Sequence, residues 1–201
     1  MLEEPDRPVP AESDDQDAAD AALLARIADG DREALRALYA RYYHPLLRFI
    51  YRIAGQLELA QEGVNDTMLV VWSNARAFAG RSRVRTWIMG IGYRKGLKLL
   101  EKRRRWSDRF RPTGADGYEP FAPSVEPTAE LDLEDLLAHA MRQLPPKQRA
   151  VVELTYFHGY SYEEIAAIAE CPVNTVKTRM FHARARLKEL LPQLAKDEPR
   201  G

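Results

Sequence analysis

Within six residues the chain sets Asn174, Thr175, Lys177, Thr178 and Arg179, with His182, Arg184, Arg186 and Lys188 following. Amide, hydroxyl, ammonium and guanidinium groups grouped this closely are nucleic-acid chemistry. Arginine pairs bidentately with guanine and asparagine with adenine, while lysine and threonine also reach phosphates. A second concentration lies upstream. From Arg81 to Arg111 twelve basic residues face only Glu101 and Asp108. Covalent chemistry has no comparable grouping. There is no glycine-rich phosphate loop, no nucleophile beside a base, and no carboxylate cluster next to the basic run, so the pattern does not read as an enzyme. His44, His139, His158 and His182 are scattered without ligand spacing, and Cys171 is the single cysteine. That excludes a disulfide framework and a multi-cysteine zinc site. No cofactor and no metal is expected. Asp14, Asp15 and Asp17 lack the fixed-spacing turn glycine that would make a cation loop of them, and packing beneath a turn is the preferred role for Cys171.

The elements that must position these groups read as helices. Val176, Met180, Ala183, Leu187 and Leu190 recur at spacings of four and three, which predicts a long helix from about Asn174 to Leu191. Before it, Ser161-Tyr162-Glu163-Glu164 forms a capping box opening a short helix with Ile165, Ala166, Ala167, Ile168 and Ala169, closed by Glu170-Cys171-Pro172. A short helix with small residues, a tight turn, and a second helix polar at its start make a helix-turn-helix. The plainer alternative is a helical hairpin with a solvated charged face. Pro145-Pro146 begins the helix before that, after one running from about Leu131 to Leu144. In the first half Asp31 caps a helix with an apolar stripe from Leu35 to Ile53, which Pro45 should kink or split. A third helix covers about Leu59 to Phe78, and Ser82 is the expected cap of a fourth running to about Arg105, with Val84, Trp87, Ile88 and Ile91 on its buried stripe. No stretch alternates like a strand. The fold class is all-α: two small helical bundles, the second containing the helix-turn-helix, joined by a flexible acidic linker.

Charge divides the chain more sharply than composition does. Its 201 residues are 45% hydrophobic and 30% charged, with 30 basic and 30 acidic side chains. Net zero excludes a protein basic throughout, but the signs are segregated. Residues 1–20 carry eight acids against Arg7 and read as a disordered acidic tail. Residues 21–106 form the first bundle. Residues 107–130 are the linker, rich in Pro and Gly, and from Pro112 to Ala138 there are seven acids and no Lys or Arg. Residues 131–195 form the second bundle and 196–201 a tail. No apolar run is long enough for a bilayer and no signal peptide is visible, so the expected location is the cytoplasm, without membrane insertion.

Taken together these residues resemble a bacterial sigma factor of the extracytoplasmic-function (ECF) group. The likeness rests on Leu144-Pro145-Pro146-Lys147-Gln148-Arg149, Tyr160 to Ala166, Asn174 to Arg179 and Ala183 to Leu187 in the second half. In the first it rests on Asp66-Thr67, Val71-Trp72 and Arg85-Thr86-Trp87-Ile88. The resemblance implies core RNA polymerase and promoter DNA as partners. It implies that the first bundle docks on polymerase and opens the −10 element, and that the second reads the −35 element. Asn174, Thr175, Lys177, Thr178, Arg179, His182 and Arg184 are then the −35 candidates. Arg81, Arg83, Thr86, Trp87, Tyr93, Arg94 and Lys98 are the −10 candidates, a basic face with groups to hold an unstacked base. Trp87 fits core packing better than stacking, Tyr93 is the better stacking candidate, and Trp72 is assigned to the core. The acidic linker would thread the polymerase along the path of nascent RNA, or serve as an inert tether.

The docking segment departs from the family pattern. Leu59 and Gln61 stand where acids are usual, leaving Glu62 and Asp66 as the polymerase-binding candidates, and Gly63 weakens its helix by about 1 kcal/mol relative to alanine. One hypothesis is that phosphorylation of Thr67 restores negative charge there. Control by an anti-sigma factor or by a regulatory kinase is equally open, and the acidic tail either masks the basic helix or is simply solvated. The competing function is a helix-turn-helix transcriptional regulator that is no sigma subunit. The basic helix, its aromatic residues and the acidic linker argue against it, as they do against a purely protein-binding adaptor.

Overall fold

The computed structural model describes residues 12–109 and 133–194, with side chains over 15–106 and 136–194. Residues 1–11, most of the linker and the final tail lie outside that range, as does the side chain of Asp14. The regular structure of the described residues is helical throughout: α1 (Glu12–Ala28), α2 (Arg32–Ala54), α3 (Leu57–Asn74), a short 3-10 turn (Ala75–Ala77) and α4 (Val84–Arg109), then α5 (Leu133–Arg142), α6 (Pro146–Val152), a π-helical segment (Glu153–Phe157), α7 (Tyr162–Ala169) and α8 (Val173–Leu194).

Helices α2, α3 and α4 form the first bundle around Leu38, Leu46, Phe49, Ile50, Val64, Val71 and Ile88. Asp31 starts α2 as expected, its carboxylate accepting from the backbone of Glu33 at 2.8 Å and Ala34 at 3.1 Å. These bonds and Arg26 hold its carboxyl below the usual range. Pro45 sits inside α2 without splitting it, sacrificing one rung of the ladder while Leu46 remains fully buried. Gly63 sits where α3 lies close against α2 and α4. A Cβ there would stand 3.0 Å from side-chain carbons of both Ile50 and Leu99, which would have to give by a few tenths of an ångström to admit it.

Two expectations fail at the start of the chain. The acidic tail does not extend to residue 20, because α1 begins at Glu12 and runs through it. Asp20 is 1% exposed and accepts from the Tyr42 hydroxyl and Arg41. Ser82 does not cap α4; its hydroxyl turns to the Arg83 carbonyl, and the Val84 amide donates to Asp17 at 2.8 Å. The cap comes from a carboxylate 67 residues upstream. Acids that read as solvated are therefore structural partners of α2 and α4.

In the second bundle α6 and α7 pack against α8 around Val151, Leu154, Ile165, Ile168, Val176 and Met180. Pro145 and Pro146 open α6. Arg149 ties this turn together, donating to the carbonyls of Arg142 at 2.5 Å, Leu144 at 3.0 Å and, across to the first bundle, Arg52 at 2.9 Å. The two bundles pack against each other, α4 on α7 and α2 on α6 and the π segment.

Candidate nucleic-acid interface

The helix-turn-helix is assembled by local bonds that fix the entry to α8. The Glu164 amide donates to Ser161 Oγ at 3.2 Å and the Ser161 amide to Glu164 Oε2 at 2.9 Å, a complete capping box at the start of α7. Ile165, Ala166 and Ile168 are buried while Ala167 faces outward, so Ala166 and Ala169 provide the small surface met by the second helix. The last turn of α7 is closed by Glu170 in the left-handed region, φ 48°, its amide bonded to the Ala166 carbonyl. Cys171 is half-buried in the turn that follows.

Val176, Met180 and Ala183 turn one stripe of α8 inward, which leaves Asn174, Lys177, Thr178 and His182 exposed and Thr175 half-buried. Thr178 Oγ1 donates to the Asn174 carbonyl at 2.9 Å. Two of the expected readers point elsewhere. Arg179 is half-buried, reaches Cys171 Sγ at 3.6 Å and lies against Tyr93 of the first bundle. Arg184 donates to the Tyr156 hydroxyl at 3.1 and 2.5 Å and covers that ring. Phe181, 66% exposed beside these groups, is an apolar surface residue that periodicity alone did not single out.

On α4 and in the residues just before it the expected groups divide. Arg81, Arg94 and Lys98 are exposed, and Arg83 and Trp87 half-buried. Trp87 packs on Phe78 with ring centroids 5.2 Å apart. Tyr93 is not displayed for stacking: it is 5% exposed, tilted against Phe49 at 6.5 Å, and burial pushes its phenol up while Arg179 opposes. Thr86 is likewise buried. The physical reason is that α4 is covered on two sides, by its own bundle and by α7. The Glu164 carboxylate takes Arg85 through Nη2 at 2.9 and 3.0 Å and Thr86 at 3.4 Å, and Arg94 pairs with Glu170. Arg85 also stacks over the Tyr160 ring, 4.4 Å from its centre. Sequence reading gave Glu164 to the capping box and Glu170 to the helix end, and nothing local marks either as a partner of α4.

The α3 face keeps Glu62 and Asp66 at the surface, each beside a base of α4, Lys102 at 3.5 Å and Lys95 at 2.9 Å. Leu69, 63% exposed and one turn beyond Asp66, continues the same face. Thr67 lies inward instead. It is fully buried and its hydroxyl donates to the Gly63 carbonyl at 2.7 Å, so the folded chain offers a kinase no access to it. The phosphosite expectation is corrected on that ground. Among the described residues no group of three His, Cys, Asp or Glu could hold a metal ion, and no helix is long and apolar enough to cross a membrane.

Comparison with known proteins places these surfaces in a family. The family model for Sigma-70 region 2 matches residues 38–106, and that for Sigma-70, region 4, matches residues 134–187. RNA polymerase sigma-H factor of Pseudomonas aeruginosa is 28% identical over 186 residues, covering 89% of this chain and 96% of its own. The ECF RNA polymerase sigma-E factor of Escherichia coli K12 is 27% identical over 173 residues, covering 82% and 90%. Among solved structures, the sigma factor RpoE in complex with the anti-sigma factor NepR from Bartonella quintana aligns with a TM-score of 0.62 at 28% identity, covering 78% of this chain and 96% of that one. CnrH in complex with the cytosolic domain of CnrY aligns at 0.64 and 25%, covering 87% and 98%. With both regions present in this order, and with ECF factors matching over most of its length, the chain belongs to the extracytoplasmic-function sigma factors, initiation subunits that associate with RNA polymerase and bind DNA and that form a family of transcription factors, not of catalysts.

Proposed function

We propose that this sigma factor divides promoter recognition between its two bundles: residues 131–195 read the −35 element through α8, and residues 21–106 dock on core polymerase through α3 and open the −10 element through α4. The observation that carries the reading is the orientation of α8. Its buried stripe packs on α7 and turns Asn174, Lys177 and Thr178 outward at the N-terminal end, where a recognition helix meets base edges. His182, Arg184 and Arg179 lie further along, suited to phosphates and to an edge contact once Arg179 leaves Tyr93. Arg81 and Arg83, just before α4, and Arg94 and Lys98 on it supply a cationic track beside Trp87, with Thr86 held at Glu164 and Tyr93 between Phe49 and Arg179. Glu62 and Asp66, extended by Leu69, form the docking face. The acidic residues between the bundles follow the nascent-RNA path, and the protein works in the cytoplasm. Control by an anti-sigma factor is favoured over a kinase at Thr67, because Thr67 is buried and a solved structure that aligns with this chain is a sigma factor in complex with an anti-sigma factor.

Run-off transcription from the protein's own upstream region, with purified core enzyme, tests the division. Changing Lys177 and Arg179 together to alanine should lower promoter-dependent transcript by about 10- to 100-fold, the loss of one to two base or phosphate contacts, while leaving core binding intact. Unchanged transcript would sink the −35 assignment.

A further inference from the structure

Arg103, Arg104 and Arg105 follow one another near the end of α4 and are engaged differently. Arg103 donates to the Ala54 carbonyl, and Arg105 pairs with Glu101 at 3.6 Å. Arg104 instead lines a cavity of about 610 Å³, whose other walls are the α5–α6 turn and α8. A volume of that order lies within the usual range of small-molecule sites. Pro145 and Pro146 of the turn and Ala185 of α8 give it apolar surface.

The polar groups around this cavity are largely unengaged. The guanidinium of Arg104, the imidazole of His182 and the carboxamides of Gln143 and Gln148 make no side-chain hydrogen bond or ion pair among the described residues. Arg186 and Glu189 pair across one helical turn at 3.5 Å, with side-chain exposures of 53% and 63%. Such an exposed pair is weak, so a ligand can displace it. Two arginines and a histidine suit a phosphate group. Two carboxamides, each donor and acceptor at once, together with a carboxylate acceptor suit the mixed edge of a nucleobase. A bare phosphate or a duplex backbone would use the cations alone and leave Gln143, Gln148 and Glu189 without a role.

We propose that this cavity binds a nucleoside phosphate, with Arg104, His182 and Arg186 taking the phosphates and Gln143, Gln148 and Glu189 the base edge. The second bundle supplies eight of the nine lining residues, Arg104 being the exception. Because His182 is also a −35 candidate, an occupied cavity withdraws it from promoter DNA. That consequence rests on the −35 reading of α8, whereas the site itself does not.

The test uses the full chain and the fluorescent N-methylanthraniloyl derivative of ADP, followed by anisotropy. Binding should be saturable and displaced by unlabelled ADP. Arg104→Ala should weaken it about tenfold, the loss of one charge-assisted hydrogen bond, and Gln143→Ala about threefold. Lys188→Ala, on α8 but outside the cavity, should change it by less than about twofold. Arg104 and Lys188 are exposed and Gln143 half-buried, so these changes spare the fold. Absence of saturable binding overturns the proposal. So does displacement by inorganic pyrophosphate as effective as by ADP, which would leave the base edge unused. An equal loss in Lys188→Ala overturns it too, since that would mean diffuse attraction to a basic helix. A duplex oligonucleotide from the protein's own upstream region completes the test, and saturating ADP should weaken its binding about threefold. Duplex binding that itself falls tenfold in Arg104→Ala, about as far as ADP binding does, would make the recess a seat for DNA backbone and overturn the nucleotide assignment. Bound ADP with unchanged duplex affinity overturns the −35 role of His182 while the site stands.

Discussion

Helices α4 and α8 carry similar cargo and sit in opposite situations. On α8 a single stripe is buried and the polar groups at its start face outward. On α4 the buried residues wrap nearly around the helix, from Ile88 and Met89 through Ile91 and Tyr93, because its own bundle holds one side and α7 the other. One helix is presented and the other is held. A basic composition therefore says which surface suits nucleic acid, whereas the number of faces already packed says whether that surface is available.

Glycines two residues apart sharpen the contrast. Gly92 faces its own core, and a Cβ there would lie 2.6 Å from Cδ2 of the fully buried Leu46. Overpacking of about 2 kcal/mol outweighs a helix gain of about 1 kcal/mol, so Gly92→Ala should destabilise the first bundle by about 1 kcal/mol in urea unfolding. Equal or greater stability would show that Leu46 has room to yield.

Acidification probes the second contact between the bundles. His158 stands edge-on to Phe49 of α2, and desolvation, with Arg48 adding to it, pushes its imidazole down to about 4. Because the unfolded or separated chain takes the proton first, this contribution is complete above about pH 6.5 and is lost as pH falls toward 4. Glu153 works in the opposite sense. Burial raises its carboxyl above 4.5 against the pull of Arg52 and Arg149, so its unfavourable ionisation grows as pH rises. In a Glu153→Gln background the loss from pH 6.5 to 5.5 should be at most about 1 kcal/mol, and His158→Asn should flatten the profile. A profile that stays sloped in the histidine variant would place the titration elsewhere.

The smallest effect falls on Gly90, which faces α7. Its added Cβ would make only ordinary contacts, at 3.5 Å or more. Gly90→Ala should therefore raise stability by about 0.5 kcal/mol through helix propensity, the reverse of Gly92→Ala. A loss exceeding that of Gly92→Ala would show that α7 sits tighter on α4 than on its own bundle.

The difference between the two helices also explains what could be read beforehand. The helix-turn-helix was legible because its signals are local: the Ser161–Glu164 box, Pro145-Pro146, and the four-three spacing of α8 each act within a few residues. The first bundle was legible in its apolar stripes, Leu38 to Ile53 above all. Illegible were groups whose partners lie far along the chain. Asp20 looked solvated because Tyr42 and Arg41 are a helix away, and Ser82 looked like a cap because Asp17 is not adjacent. Tyr93, between Gly92 and Arg94, resembled a stacking residue because no local rule reveals that Phe49 covers it on one side and Arg179 on the other. Thr67 was misread for the same reason, since its inward face is set by how α3 lies against α2 and α4.

The cap on α4 also orders events at the ribosome. Asp20 can find Arg41 and Tyr42 once α2 has emerged, but Asp17 must wait for Val84, 67 residues later. At roughly 5–20 residues per second that wait is about 3–13 s. For that interval α1 carries a carboxylate committed to a helix that does not yet exist, and the first bundle has no fixed start to its basic helix. The closing of α1 onto Val84 then fixes the start of α4, before any residue of the helix-turn-helix has left the exit tunnel.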